Sequence, residues 1–157
     1  MLYSENESYS FEYIQRSIDR IIAKDLTPAK FHPDTVALIP KILRELTEND
    51  ICNIKKLSEY FDLSRLKMSE ILDILESSGL LRRIYPHGAY FQDVVSRKPS
   101  KYLFSTPAFR LPWYRIFADV LKNENTKSKI VQDIVAMYLY RAFDRNKKGV
   151  LTYDADV

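Results

Sequence analysis

Apolar positions fall at helical spacing along most of this chain. Over residues 10–24, Phe11, Ile14, Ile18, Ile21 and Ile22 recur at three and four residues while Arg16, Asp19 and Arg20 fall outside the stripe, which predicts an amphipathic helix. Leu26-Thr27-Pro28 ends it. A second helix is expected from Asp34, a good N-cap, with Val36, Ile39, Ile42, Leu43 and Leu46 inward. Pro40 interrupts that stripe. Deep in a helix a proline costs roughly 3 kcal/mol through a lost hydrogen bond and a clash, so a kink, or a turn followed by a helix opening at Pro40, is expected.

Residues 54–95 carry the densest run of local signals. Ile54, Leu57, Tyr60 and Phe61 mark a short helix, Asp62-Leu63 a tight turn, and Ser64 the cap of a second helix with Met68, Ile71, Leu72 and Leu75 inward. Gly79 then stands where a left-handed residue closes a helix. Leu80 to Tyr85 reads as a strand, Pro86-His87-Gly88 as a turn and 89–95 as the return strand. Helix, turn, helix, glycine and hairpin is the order of a winged helix-turn-helix.

Beyond Arg97-Lys98-Pro99, residues 101–104 read as a short strand and Thr106-Pro107 as a break. Trp113, Ile116, Phe117, Val120 and Leu121 form a helical stripe, and 123–125 a loop. Ile130, Ile134 and Tyr138, beside Val131, Val135 and Leu139, give a further helix a wide apolar face, ending near Asp144. Residues 150–153 start a strand whose partners are expected outside this chain, since a lone strand does not stand. The expected class is mostly α with a small β component: a linker helix over 1–33, a winged helix-turn-helix over 34–97, and the truncated start of an α/β segment over 98–157.

Charge sharpens the picture. The net charge of +3 over 157 residues conceals a segment, 79–115, with seven basic groups against Asp93 alone. Arg82, Arg83, His87, Arg97 and Lys98 cluster near the wing, and with Arg65 and Lys67 of the second helix they are the candidate nucleic-acid contacts. The second helix itself is a poor phosphate reader, because Glu70, Asp73 and Glu76 share its polar face. The wing can equally meet protein or solvent. If four or five wing cations met phosphates, affinity would be about 10⁻⁴ to 10⁻⁶ M.

Composition removes several chemistries. Three glycines, Gly79, Gly88 and Gly149, stand too far apart for any glycine-rich phosphate loop. Cys52 is the sole cysteine, which suits a reducing, cytoplasmic setting and a buried apolar role. His32 and His87 have no second Cys or His at ligand spacing, so no metal site is expected. Asp154 and Asp156 would share a strand face, yet no further ligand follows them. No apolar run approaches the ~18 residues of a membrane span. No catalytic residue is assigned.

Four segments together resemble the C-terminal region of bacterial and archaeal P-loop ATPases of the AAA class. They are Ile22-Ala-Lys-Asp25-Leu, the run from Ile71 through Gly79 to Ile84, the run from Lys98 to Arg110, and the run from Ile130 to Arg141. The resemblance implies an ATPase domain before this chain, then a winged helix, then the start of a domain similar to PD-(D/E)xK nucleases. ATP and Mg²⁺ would belong to that ATPase domain, and this chain would need no cofactor. Gln132 stands where the family usually carries a glutamate, and the later Glu-x-Lys strand would lie beyond Val157. The implied role is a non-catalytic module contacting nucleic acid or the ATPase domain. A free-standing dimeric winged-helix regulator, hence a homo-oligomer, and a pure protein-interaction scaffold remain alternatives.

Overall fold

A computed structural model describes residues 2–26, 31–87, 99–114, 123–146 and 151–153. The chain is mostly α, with a small mixed sheet. Helix α1 (Leu2–Asp25) opens it, two turns earlier than the apolar stripe alone marks. Ile18 and Ile22 are buried, Ile14 and Ile21 half-buried, and Arg16, Asp19 and Arg20 face solvent.

Helix α2 (Pro33–Glu48) corrects two expectations. Its N-cap is His32, whose Nδ1 accepts from the Asp34 N–H at 3.4 Å, and Pro33 takes the first position, where a missing N–H costs nothing. The helix also runs through Pro40 as one element instead of restarting there. Ile39, Ile42, Leu43 and Leu46 are almost wholly buried on both sides of the proline. Burying each such side chain is worth about 1.5–3 kcal/mol, enough together to outweigh the local cost.

Strand β1 (Ile51–Cys52) follows, then α3 (Ile54–Tyr60), capped by Asn53, whose Oδ1 accepts from the Lys55 and Lys56 N–H groups. Asp62 takes φ +52° in the turn to α4 (Arg65–Ser77). Ser64 Oγ accepts from Lys67 N–H at 3.1 Å, the cap the spacing predicts. At the far end the Leu80 N–H reaches the Leu75 carbonyl and the Gly79 N–H that of Glu76, with Gly79 at φ +78°. This pair of bonds is a Schellman closure, and the buried Leu75 and Leu80 supply its apolar contact.

Strand β2 (Leu81–Pro86) pairs antiparallel with β3 (Ser100–Phe104), joining Leu81 to Phe104 and Arg83 to Tyr102. β3 also pairs antiparallel with β1. The return strand expected at 89–95 lies outside the described residues, and the observed partner of β2 begins at Ser100. Helix α5 (Pro107–Arg110) runs into a 3₁₀ turn at Leu111–Trp113, and the stripe over 116–121 lies outside the described residues. Helix α6 (Glu124–Asn146) begins earlier than expected, because Asn123 Oδ1 accepts from the Asn125 and Thr126 N–H groups and caps it. The strand expected at 150–153 is β4 (Thr152–Tyr153), and its partner is in this chain: it pairs parallel with Tyr85 and Pro86 of β2. The sheet order is β1-β3-β2-β4.

Alternation divides that sheet into two faces. Leu81, Tyr102 and Phe104 join Met68, Ile71, Leu72, Leu75 and the buried residues of α1 and α2 in one core. Ile84 and Leu103 point the other way, onto Ala136 of α6, with Leu151 and Tyr153 alongside.

Candidate functional site

Of the cations expected to touch nucleic acid, those within the described residues lie on α4, on β2 and just after β2. On α4, Arg65 is exposed at the first turn beside Leu66, which is also exposed. Lys67 is half-buried, with its Nζ 3.6 Å from Glu70 Oε2 and 4.3 Å from the centre of the Phe31 ring. The polar face of α4 is therefore internally balanced, a weak match to a polyphosphate strand.

Arg82 and Arg83 are adjacent in sequence and leave β2 on opposite faces. The Arg83 guanidinium stacks over Tyr85 and Tyr102 at 4.9 and 5.7 Å. Its Nε donates to Ser100 Oγ at 3.0 Å, and Nη1 lies 3.6 Å from Asp73 Oδ1. The Arg82 guanidinium stacks over the Tyr140 ring of α6 at 4.4 Å, while the Tyr140 hydroxyl donates to the Arg83 carbonyl. Arg82 also lines a polar cavity of about 160 Å³ with Glu76, Ser105 and Tyr140. Both arginines serve internal packing. His87 is exposed at the end of β2, its N–H donating to the Tyr153 carbonyl at 2.7 Å. Arg97 and Lys98 lie outside the described residues, as do Asp154 and Asp156. The structure thus puts Arg65 and Lys67 on α4, Arg82 and Arg83 on β2 and His87 just after it, and sends the two central arginines to different neighbours.

A second concavity, of about 460 Å³, opens between α2, β1 and α3, lined by Leu46, Ile51, Cys52, Leu57, Tyr60 and Pro99. Among its polar groups, Asn49 donates to Glu45 Oε1 at 2.6 Å and Asn53 caps α3. Burial pushes the Cys52 thiol up to about 11 against the opposing charge of Arg83, so it is protonated at neutral pH and a poor nucleophile. No group of three or more His, Cys, Asp and Glu able to hold a metal occurs among the described residues.

The most unusual chemistry is one the sequence pattern hides. Arg110 and Asp133 are both fully buried and form a two-pronged pair, with Nε to Oδ2 at 2.5 Å and Nη2 to Oδ1 at 3.0 Å. Asp133 Oδ1 also accepts the Phe104 N–H at 3.1 Å, and Arg110 Nη1 donates to the Thr47 carbonyl at 2.7 Å. The buried Lys129 ammonium donates to the Glu48 carbonyl. Burial pushes the Asp133 carboxyl up, against the hydrogen bonds and charge of Arg110. Burial also acts to discharge Arg110, and the Asp133 hydrogen bond and charge more than offset it, so the guanidinium is held above its usual range. A signal was present: Lys129, Asp133 and Ala136 recur at helical spacing within the apolar run of α6. Hydrophobic periodicity discards such a stripe as the solvent side.

An uncharacterized protein of Methanocaldococcus jannaschii is 26% identical over 153 residues, which are 96% of this chain and 32% of that protein. The chain therefore spans about a third of the length of that curated relative. No protein-family profile matches the chain, and no solved structure does. No helix among the described residues is long and apolar enough to cross a membrane.

Proposed function

We propose that the chain is a non-catalytic winged helix-turn-helix module that works by docking another protein domain. The partner implied by the sequence resemblance is a P-loop ATPase domain of the AAA class. The observation that carries the docking role is the engagement of both central arginines: Arg83 among Tyr85, Tyr102, Ser100 and Asp73, and Arg82 on Tyr140. The α3–turn–α4 unit on the antiparallel β1-β3-β2 strands supports the module class. Arginines already held by rings, and in Arg83 by a carboxylate, gain less from phosphate neutralisation, the main source of DNA affinity.

Fluorescence anisotropy with a labelled duplex, at low salt and at near-physiological salt, tests this reading. Binding no tighter than the non-specific range of about 10⁻⁴ to 10⁻⁶ M is expected at physiological salt. Sub-micromolar binding that Arg65→Ala plus Lys67→Ala abolishes would overturn it. A second reading assigns nucleic-acid contact to the segment 88–98, because Arg97 and Lys98 lie there. Loss of duplex binding in Arg97→Ala plus Lys98→Ala, with α4 variants unaffected, would favour that reading.

A further inference from the structure

Helix α6 is inside out. Toward the rest of the chain it buries Thr126, Lys129, Asp133 and Ala136, while Val131, Val135 and Tyr138 are 55%, 49% and 62% exposed. Leu139 and Phe143 are exposed beside them, and an apolar groove of about 330 Å³ lies between this helix and the sheet, where Val131, Val135 and Leu139 meet Ile84, Leu103 and Leu151. A helix with apolar residues on the side away from its core is built to be covered there too.

We propose that this outer face is a self-association surface, pairing antiparallel with α6 of a second copy of the chain. Size is the first argument. The five exposed apolar side chains offer on the order of 400 Å² of apolar area, taking about 150–250 Å² for a whole aromatic side chain. A standard interface takes about 800 Å² from each partner, a little over half of it apolar. The face therefore matches the apolar share that a stable dimer requires.

Spacing is the second argument. Val131, Val135, Tyr138 and Ala142 follow one another at four, three and four residues, the interval of a two-helix seam. Read antiparallel about a two-fold axis between Val135 and Tyr138, the seam sets Val131 against Ala142 and Val135 against Tyr138, larger beside smaller. The parallel alternative sets Tyr138 on Tyr138 and Arg141 near Arg141, a clash of bulk and of like charge. Antiparallel pairing also opposes the two helix dipoles favourably. The contact does not depend on the docking function proposed above, and its failure would leave that reading untouched.

Sedimentation equilibrium of the full chain across a hundredfold concentration range tests it. A monomer–dimer equilibrium is expected, with Val135→Asp weakening association about 100-fold or more while leaving the circular dichroism unchanged, since position 135 is half-exposed. In a Cys52→Ser background, Val135→Cys plus Tyr138→Cys should oxidise to a covalent dimer. A chain that stays monomeric throughout the range overturns the proposal and leaves the face to a different partner. A dimer indifferent to Val135→Asp overturns it as well, because association would then run through another surface.

Discussion

Helices α4 and α6 pack on opposite faces of the same pair of strands, and they do so with opposite chemistry. α4 presents Met68, Ile71, Leu72 and Leu75 to the sheet and leaves Arg65, Glu70 and Asp73 in water. α6 presents Lys129, Asp133, Ala136 and the Tyr140 ring, and leaves Val131, Val135, Tyr138 and Leu139 in water. The first contact is non-directional and tolerates small changes of shape, whereas the second is specified by a few directed hydrogen bonds in a dry setting. One helix is held by area and the other by valence. The difference is visible in the fate of the two arginines on β2: the one facing α4 finds a carboxylate and two rings, while the one facing α6 finds only a ring.

The largest expected effect sits on the α6 side. Asp133→Ala leaves the Arg110 cation buried without its carboxylate, and a loss of about 3–5 kcal/mol is expected from urea unfolding. Replacing both partners by Met and Leu should recover most of it, because the uncompensated charge is gone. A loss equally large in the double variant would show that the bonds to the Thr47 carbonyl and the Phe104 N–H, more than the charge pair itself, hold α6. On the α4 side, Leu72→Ala should cost about 2–5 kcal/mol, while Val135→Ala in α6, at concentrations that keep the chain monomeric, should stay within about 0.5 kcal/mol. Comparable losses would erase the contrast between the two helices.

An effect of intermediate size is pH-dependent and belongs to the α4 face. The Cys52 thiol ionises near 9 when unfolded and at about 11 when folded, so the unfolded chain releases its proton first. The stability it contributes is whole below pH 9 and is lost as the pH rises toward 11. The two-unit difference corresponds to about 2–3 kcal/mol, and urea midpoints taken every half unit should show it. Cys52→Ala should flatten that part of the curve.

The pair of helices α3 and α4 and the turn between them are legible in the sequence because their signals are local. Ser64 three residues before Lys67, Gly79 after Ser78 and the turn at Asp62 each act within a few residues, and all agree. The sheet is not, since β3 meets β2 only after a wide gap in sequence and β1 offers only two residues of pattern. The arginines were read as surface groups because sequence shows charge and conceals neighbours: nothing in the string places Tyr140 over Arg82 or Tyr102 over Arg83. The orientation of α6 escapes the pattern for a deeper reason. Periodicity equates apolar with inward, and a helix that buries a salt bridge on one side and awaits cover on the other violates that equation.

The last carbonyls of α2 carry a mechanical consequence. A helix end normally gives them to a cap or to water, yet here Thr47 and Glu48 are gripped by Arg110 and Lys129, which belong to α5 and α6. A pull applied along α6 enters the frame at the final turn of α2, one short strand ahead of α3. The links there are polar and short-range, so the end of α2 that leads into β1 and α3 is fixed by side chains of α5 and α6.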